Sequence, residues 1–561
     1  MKMISTTTGS RSFSKFSLFI VLAAAAILIC FSIPAESRNE GDHNQFLQCL
    51  SLRLQNDSHR ISDVVYTPND SSSSSSYWWV LRKSIHNLRF MLAPTARPQV
   101  IVTPLHESHI PAIVVCAKQN EMQIRTRSGG HDYEGLSYTS PVPFVIVDLF
   151  NLNHIDIDVE RMTGWVQTGA TNGQLYYAIG QKSNTIGFPA GSCPTVGVGG
   201  LFSGGGYGPL FRKYGLAADN IVDARMVDAN GRMLDRKSMG KDVFWAIRGG
   251  GGASFGVITA WKIKLVTVPE TVTIFSVSRT LQQNATELVH KWQYVAPFMS
   301  NDMLLAINVG TITVPSTGER TVQASFNSMF LGRIDQLLEL LQQSFPELGV
   351  RREDCLEVSY IQAVLFFGGY NVLQSPELLT SRNPEVPSAI RATRFSFKAK
   401  TDYLHKPIPK SGIEGMWKLL LERAPDMAEL LMVPYGGRMS DIPESAIPFP
   451  HRAGTLYKFQ QLAHWIRPEE SEASFRWVRS FYGYLTPFVS KSPRLGYLNY
   501  RDLDLGVNNG DKTSYREASK WGLRYYKSNF KRLVQVKTMI DPTNYFRNEQ
   551  SIPVRRARKN Y

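Results

Sequence analysis

Cysteine is scarce in this sequence, and long apolar runs are scarcer still. The 561 residues include 5 cysteines, without any Cys-x-x-Cys pair, and a single apolar run of membrane-spanning length. These absences exclude a disulfide-stapled mini-protein and a polytopic membrane protein, and they argue against a structural zinc site. Collagen, coiled coil and a disordered polycation are also excluded, because 43% hydrophobic and 11% aromatic residues supply a globular core.

The one long apolar run lies near the amino terminus. Residues 16–33 are almost entirely apolar, Lys2, Arg11 and Lys15 precede them, and small residues follow. This arrangement predicts a secretory signal peptide over residues 1–37, with a retained membrane anchor as the alternative. Its removal takes away three basic residues and one acidic residue, so the formal charge falls from +15 to +13. We therefore expect an exported protein.

Export permits disulfide bonds, and four cysteines remain after processing. Cys49 and Cys116 both lie in helical-looking segments, so a disulfide between them would tie an amino-terminal helix to the core. Cys193 and Cys355 complete the set, and the sequence does not choose among the three full pairings. Three sequons are candidate glycosylation sites on an exported protein, at Asn56, Asn69 and Asn284.

The order of predicted strands and helices changes near residue 270. Before it, strand-like and helical segments alternate. The strands are predicted at 100–102, 123–127, 144–149, 164–169 and 257–268, a hairpin at 224–234, and helices at 106–120 and 172–183. After it, strand patterns interleave with helices at 334–344 and 413–423, and a tail helix is predicted at 521–540. Six serines at 71–76 predict a loop. The whole pattern indicates an α+β protein whose second part contains a mostly antiparallel sheet.

Glycine is concentrated in three loops, at 127–131, 193–208 and 249–252. Glycines at this density let backbone amides approach a ligand and point at its phosphates. Three such loops therefore favour a large, phosphate-bearing ligand over the alternative of three tight turns.

Familiar catalytic templates do not match these loops. The sequence has no P-loop and no Gly-x-Gly-x-x-Gly that opens a helix, so neither nucleotide fingerprint is present. Ser254 lies in a Gly-x-Ser-x-Gly run, but a strand pattern follows where a nucleophile elbow needs a helix, so we expect a loop residue. His106 and His109 are one residue short of zincin spacing, and we expect both to be exposed on a helix. No metal site is predicted.

Two nucleophiles lie inside the glycine loops, His131 and Cys193. An imidazole and a thiolate are the side chains that can add covalently to an electron-poor flavin ring. A structural cysteine is the plainer alternative for Cys193, but the histidine in a second glycine loop favours covalent flavin attachment.

Long motifs then identify a family resemblance. RSGGHDYEGLSY (127–138), GSCPTVGVGG (191–200), FPHRAGTLYKFQ (449–460) and YLNYRDLDLG (497–506) resemble the plant berberine bridge enzyme-like oxidases. The resemblance covers nearly the whole mature chain. It implies an α+β, two-domain vanillyl-alcohol-oxidase (PCMH-type) fold. The implied segments are an FAD-binding domain at 38–268 with its core at about 95–268, a substrate domain at 269–475, and a carboxyl-terminal segment at 476–561 that returns to the FAD domain.

The resemblance also implies bicovalently bound FAD. His131 would join the flavin 8α-methyl carbon and Cys193 would join its C6 carbon. The other residues expected to bind the cofactor are Arg127, Ser128, Gly129, Gly130, Val196, Gly197, Gly199, Gly200, Gly204, Gly256 and Val257.

Four residues match the family's catalytic positions. Tyr500 is the expected base, and Lys458 is expected to lower its pKa because a nearby ammonium favours tyrosinate. Gln460 lies two residues after Lys458, hence on the same strand face, and with Tyr207 it would orient the substrate.

Three positions bear on the reaction. Gln460 stands at the position that resembles a glutamate base in alkaloid-cyclising members of the family. Because a glutamine cannot take a proton, the resemblance favours alcohol oxidation over oxidative ring closure of an alkaloid. Val196 stands where oxygen-reactive members carry valine, which implies O2 as acceptor and H2O2 as product. Leu201 replaces the usual histidine beside the flavin and donates no hydrogen bond.

These observations predict a secreted oxidase of the apoplast or cell wall, with the vacuole or endomembranes as alternatives. Its substrate would be an alcohol or a sugar hydroxyl of an oligosaccharide or monolignol type. An alkaloid or cannabinoid-like substrate is one alternative, and a wall-binding defence protein with weak catalysis is another. The basic charge suggests acidic wall polysaccharide as a partner. We expect a monomer without nucleic acid, and no membrane association after processing.

Overall fold

A computed structural model of the chain describes residues 39–55, 63–68, 74–92, 95–382 and 394–555. The α-helices are α1 Asn39–Leu54, α2 Ser74–Lys83, α3 His109–Gln119, α4 Asn172–Gly180, α5 Val198–Ser203, α6 Phe211–Tyr214, α7 Arg236–Ile247, α8 Ala285–Val295, α9 Ile334–Ser344, α10 Tyr360–Gly368, α11 Lys410–Arg423, α12 Arg438–Asp441, α13 Ser471–Tyr484, α14 Tyr515–Tyr526 and α15 Asn529–Ile540. The strands are β1 Val65–Tyr66, β2 Val100–Val102, β3 Gln123–Arg127, β4 Phe144–Asp148, β5 Ile155–Asp158, β6 Thr163–Gln167, β7 Ile186–Gly187, β8 Ile221–Val227, β9 Met233–Leu234, β10 Val257–Lys264, β11 Val266–Thr267, β12 Val272–Thr280, β13 Met303–Thr313, β14 Arg320–Phe330, β15 Cys355–Val358, β16 Ser396–Leu404, β17 Ala428–Pro434 and β18 Tyr457–Trp465.

The first sheet has the order β1-β2-β4-β3, with β2, β4 and β3 mutually parallel and β1 antiparallel at the edge. Helix α3 crosses between β2 and β3, as a parallel pair requires. The carboxyl end of β3 runs directly into the glycine loop at 128–131. This edge of the sheet therefore presents the first of the predicted cofactor loops.

A second, antiparallel sheet has the order β5-β6-β10-β8-β9. Its β8–β9 pair is the predicted hairpin at 224–234. The strand predicted over 257–268 is divided into β10 and β11, because β11 leaves this sheet to pair with β7. The third glycine loop precedes β10 and lies beside the second loop, because Gly249 N and Gly251 N both donate to the Ser203 carbonyl.

The third sheet is seven-stranded and wholly antiparallel, in the order β15-β12-β14-β13-β17-β18-β16. Apolar residues of α8, α11 and α13 share one core with it. This arrangement confirms the α+β class and the antiparallel sheet expected after residue 270. Its strand β18 carries Lys458 and Gln460.

The tail differs from the single helix predicted over 521–540. The structure has two helices, α14 and α15, separated where Lys527 adopts φ of +47°. The break lets Tyr526 donate to the Gly250 carbonyl and lets the Asn529 amide donate to the Glu444 carbonyl. The tail thereby closes over the third glycine loop.

Apolar residues of this tail belong to the core of the amino-terminal half. One hydrophobic cluster combines residues between 157 and 268 with residues between 498 and 552. Helix α13 instead packs on β16 and β18. We therefore propose that the carboxyl-terminal segment belongs to the FAD domain, and that the boundary predicted at 475 lies after α13.

The structure joins Cys49 to Cys116, so helix α1 is tied to helix α3. Asn284 is exposed at the start of α8, whereas Asn56, Asn69 and the signal segment 1–37 lie outside the described residues. In the part of the chain that the structure describes, no helix combines the length and apolarity needed to cross a membrane.

Two local expectations were wrong. Of the loop predicted at 71–76, Ser74–Ser76 form the first turn of α2, and residues 71–73 lie outside the described residues. His109 is buried at the start of α3, a helix that packs on the first sheet, whereas His106 is exposed and precedes the helix.

Candidate active site

The backbones of the first two glycine loops lie in close contact. A Cβ on Gly129 would come within 2.4 Å of the Gly197 nitrogen, and one on Gly197 would come within 2.2 Å of the Gly129 nitrogen. Glycine is therefore required at both positions by close backbone approach. The contact holds the loop after β3 beside the start of α5.

This contact brings the two predicted flavin-linking residues together. His131 Nε2 lies 3.0 Å from Thr195 Oγ1, and Cys193 Sγ lies 3.6 Å from the same oxygen. The described residues include no disulfide partner for Cys193. An imidazole and a free thiol thus flank one hydroxyl at the loop surface.

A second imidazole, which the sequence analysis did not single out, covers His131. The rings of His86 and His131 stack with centroids 3.7 Å apart and planes inclined by 19°. Burial lowers the pKa of His131 to about 4 and lowers that of His86 well below its ordinary value. His131 is therefore neutral at ordinary pH, which is the nucleophilic form of imidazole.

The expected catalytic residues also converge. The hydroxyls of Tyr207 and Tyr500 are hydrogen-bonded to each other. Lys458 Nζ lies 3.4 Å from the ring centroid of Tyr207 and 4.3 Å from that of Tyr500. Strand β18, the second glycine loop and the carboxyl-terminal segment therefore meet at the Lys458 side chain.

Ionisation differs from the expectation for this cluster. Lys458 is fully buried and has no hydrogen-bond partner among the described residues, and burial lowers its pKa well below the ordinary value. Burial, reinforced by Tyr207, raises the pKa of Tyr500 well above 10. The expected lowering of the Tyr500 pKa is thus reversed here, because the amine faces ring planes and loses its water.

Tyr133 is a further member of the cluster that the sequence analysis did not assign. Its hydroxyl accepts a hydrogen bond of 3.0 Å from Gln460 Nε2, and its ring stacks on Tyr500 at a centroid distance of 5.0 Å. Its position two residues after His131, in the same quoted motif, was the available signal. Gln460 and Lys458 therefore both reach the cluster from one strand.

Leu201 lies at the other side of this cluster. Asn499 Nδ2 donates to the Leu201 carbonyl and to the Tyr497 hydroxyl, both at 2.9 Å, and Gly206 N donates to Tyr497 at 3.0 Å. The Leu201 side chain is half-buried against the apolar core. The backbone there is fixed by Asn499, while the side chain offers no donor.

The Arg127 side chain points into the protein interior, away from the surface of the glycine loops. Its guanidinium is fully buried, forms an ion pair of 2.7 Å with Asp148 and donates to the carbonyls of Val80 and Leu81. Because those partners occupy the guanidinium, a contact of Arg127 with the cofactor would use its backbone, and its cofactor-binding role stays a prediction. Val257 is likewise a core residue, with its side chain fully buried in β10.

Most of the remaining residues predicted to bind the cofactor are held in place by hydrogen bonds to the backbone or by close backbone packing. Ser128 Oγ donates to the Thr168 carbonyl, and the Val196 carbonyl accepts from Asn172 N. A Cβ on Gly256 would come within 2.4 Å of the Val227 carbonyl oxygen, whereas one on Gly200 would meet no atom within 4 Å. The predicted positions Gly130, Gly199 and Gly204 belong to the same loops.

A buried ion-pair network fixes three segments around the cluster. Lys398 Nζ, from β16, contacts Glu134, three residues after the first glycine loop, and lies 2.7 Å from Asp502 of the carboxyl-terminal segment. Lys400 Nζ is 2.6 Å from Asp502, and Arg89 pairs with Glu134. Burial opposes the charge of Lys398, but Asp502 and Glu134 still raise its pKa. Nothing in the residue pattern had indicated this network.

The residues present suit FAD. A neutral imidazole and a free thiol flank one hydroxyl and glycine backbone lies beside them, while Lys458 Nζ is a buried amine without a hydrogen-bond partner among the described residues. Covalent flavin attachment needs the first two, and a flavin pyrophosphate is suited to close backbone approach.

Comparisons with known proteins agree with this site. Residues 98–236 match the family described as FAD binding domain, and residues 496–553 match the family described as Berberine and berberine like. A tetrahydroberberine oxidase from Berberis wilsoniae is 48% identical over 538 residues, which cover 96% of this chain and 98% of that protein.

Two solved structures share the fold. The structure of berberine bridge enzyme-like protein 28 from Arabidopsis thaliana has a TM-score of 0.84 at 44% identity, covering 91% of this chain and 100% of its own. Phl p 4, a grass pollen allergen with glucose dehydrogenase activity, has a TM-score of 0.83 at 42% identity with the same coverage. This chain belongs to the berberine bridge enzyme-like family of FAD-linked oxidoreductases.

Proposed function

We propose that this protein is a secreted plant oxidase whose FAD is attached at both His131 and Cys193 and whose substrate is an alcohol or a sugar hydroxyl. The observation that carries the proposal is the convergence of His131 and Cys193 on the Thr195 hydroxyl. Bound FAD supplies the hydride acceptor and passes the electrons to O2, which gives H2O2.

Two attachment points predict a graded result. The purified protein should be yellow and keep its flavin in the pellet after acid precipitation. His131→Ala and Cys193→Ala should each keep a single link, while the double variant should release all of its flavin to the supernatant. Complete release from the unaltered protein would overturn the bicovalent proposal and leave the family assignment intact.

Tyr500 is the proposed acceptor of the substrate hydroxyl proton. A neutral tyrosine with a neutral lysine holds the same number of protons as a tyrosinate with an ammonium, so the Tyr500–Lys458 pair can adopt either form without a net gain or loss of protons. The tyrosinate form takes the substrate proton, and Lys458 keeps the compensating charge over the rings. Tyr207, bonded to Tyr500, orients the accepting oxygen.

Gln460 and Tyr133 define the opposite side of the substrate region. Their mutual hydrogen bond holds the amide beside the ring that stacks on Tyr500. An amide and a phenol can each hold a substrate hydroxyl, but neither an amide nor a neutral phenol removes a proton at ordinary pH. Gln460 therefore supplies no carboxylate base for oxidative ring closure, which favours alcohol oxidation with Tyr500 as the proton acceptor.

A second candidate substrate class comes from the similarity to the tetrahydroberberine oxidase and from the four tyrosines of the site, Tyr133, Tyr207, Tyr497 and Tyr500. Flat aromatic alkaloids could stack on such rings. Peroxide release should be followed over cello- and galacturono-oligosaccharides, cinnamyl alcohols and benzylisoquinolines. Reaction with the alkaloids alone would overturn the alcohol proposal.

Oxygen use follows from Val196. A Phl p 4 variant in which isoleucine is replaced by valine is described as a glucose oxidase, whereas the wild type has glucose dehydrogenase activity. That contrast supports an effect of valine on oxygen access in this fold. Val196→Leu should therefore slow reoxidation by O2 and leave reduction by substrate unchanged. Secretion to the apoplast and a monomeric state complete the proposal.

A further inference from the structure

A basic cleft lies outside the flavin and tyrosine sites. It encloses about 630 Å³, within the range of small-molecule sites, and is open to solvent on one side. Its walls come from α6, the end of α7, the β10–β11 junction and the segment from α12 to residue 447. None of its lining residues belongs to the two flavin-linking loops or to the tyrosine cluster.

Cations dominate the charged side chains of the cleft. Lys213, Arg248, Lys264 and Arg438 line it, against a single acid, Asp219. Both oxygens of Asp219 accept from Arg452, at 2.9 and 2.7 Å, and that arginine is fully buried behind the wall. The one acid of the cleft is therefore already neutralised from inside.

By contrast, most of the basic side chains of the cleft lack a close ion pair with a described acidic residue. Lys264 is exposed and has no ion pair with any described residue. Arg248 donates to the carbonyls of Phe244 and Ile221 and has no ion pair within the described part of the chain. Arg438 meets Asp441 at 3.6 Å, with both side chains about half exposed, and such a pair contributes little. Lys213 alone pairs closely, with Asp302.

The cleft is held rigidly where α6 meets the segment before α12. Arg212 is buried and donates to the carbonyls of Tyr435, Met299 and Pro297, at 2.9, 2.9 and 3.1 Å. Phe211 packs on Tyr435 on the inner side of the same helix, so Lys213 and Tyr214 are turned toward the cleft. A preformed site loses less entropy on binding than one that must be ordered.

The lining favours carboxylates on sugar rings over a phosphate group. Phosphate sites typically use free backbone amides. Here Leu265 N donates to Met162, and β11 is paired with β7. Recognition must therefore use side-chain cations from separate segments, which suit several spaced carboxylates. Half-buried Met162, Tyr214 and Ile442 add the apolar surface that a sugar face contacts.

We propose that this cleft binds an acidic oligosaccharide, a chain of carboxylate-bearing sugars, at a site separate from catalysis. Arg248, Lys264 and Arg438 would contact the carboxylates. The excess of basic residues over the whole chain would draw such a polyanion toward the protein, and the cleft would give it a defined position.

The test is a calorimetric titration of the full-length, flavin-loaded protein with trigalacturonate, and separately with cellotriose and inorganic phosphate. The variant Lys264→Glu/Arg438→Glu alters two exposed side chains of the cleft. Lys406→Glu/Lys531→Glu makes the same change of net charge at exposed positions elsewhere. Thermal midpoints and peroxide release on a neutral alcohol establish that both variants are folded.

Trigalacturonate should bind, cellotriose should not, and the cleft variant should weaken binding at least tenfold while the control changes it less than twofold. Equal weakening in both variants would show diffuse charge attraction and overturn the site. Absence of trigalacturonate binding, or equally tight binding of phosphate that displaces it, would overturn the proposed ligand. The titration needs no turnover, so its failure is distinct from failure of the oxidase proposal.

Discussion

His86 and His131 lie face to face, with ring centroids 3.7 Å apart. His86 covers one face of the His131 ring, and the Thr195 hydroxyl lies 3.0 Å from the His131 Nε2. The stack therefore orients the residue that we propose to bind flavin.

Removal of this stack should slow flavin attachment. An aromatic pair contributes about 0.5–1.5 kcal/mol, so His86→Ala should lower the rate of covalent incorporation by about two- to tenfold. His86→Phe keeps a flat ring and should retain most of the rate. Apoprotein is mixed with FAD, and acid-stable absorbance is followed with time. Similar rates for His86→Ala and the unaltered protein would remove the orienting role.

Tyr500→Phe should lower kcat about 10²- to 10⁴-fold, the range for loss of a general base. Tyr133→Phe removes a hydroxyl that holds Gln460 but no base, so its effect should stay near tenfold. Anaerobic flavin reduction by substrate isolates the step. If the two variants slow it equally, Tyr500 is not the proton acceptor.

The buried network should make Lys398 expensive to lose. Lys398→Met removes a cation shared by Glu134 and Asp502, and breaking a buried pair costs about 3–5 kcal/mol. The lower end is expected, because Arg89 and Lys400 still pair with those acids. Urea unfolding gives the free energy. The exposed Arg476, paired with Glu472, supplies the control, and Arg476→Ala should change stability by less than about 1 kcal/mol.

Stability should fall as the pH drops from about 6.5 toward 4. Burial lowers the pKa of His464 to about 4, so in that window the unfolded chain binds a proton that the folded protein does not. The stability is complete above the unfolded pKa and is lost on acidification. Urea titrations between pH 4.5 and 7 measure the slope. His464→Phe should reduce it by up to one proton, about 1.4 kcal/mol per pH unit. The exposed His405→Gln should not.

Much of the site could be predicted because its residues belong to recognisable sequence patterns. Glycines marked the loops, and the two-residue spacing of Lys458 and Gln460 on one strand marked their common face. His86 could not be found in this way, because it stands alone in an ordinary segment and acquires its partner only through folding.

The side-chain environments of Arg127 and Lys458 could not be predicted from the motifs. Arg127 belongs to a glycine motif, which favours a ligand-binding role, but only the fold reveals that Asp148 lies 2.7 Å away at the end of the neighbouring parallel strand. Similarly, charge alone predicts that Lys458 favours tyrosinate, whereas burial of the amine against ring faces reverses the direction. Motif arguments identify residue types, and desolvation depends on positions that only the fold supplies.

The contacts between the tail and the first loops also determine the order of assembly. Lys537 donates to the Ser254 carbonyl at 2.7 Å, Arg125 pairs with Glu549 at 3.1 Å, and Tyr545 donates to the Met122 carbonyl. These partners are separated by 283, 424 and 423 residues in the sequence. The amino-terminal half therefore cannot complete its packing during synthesis until the last segment has left the ribosome. Flavin attachment at His131, as proposed, would then be a late event of maturation, although His131 is among the early residues to be made.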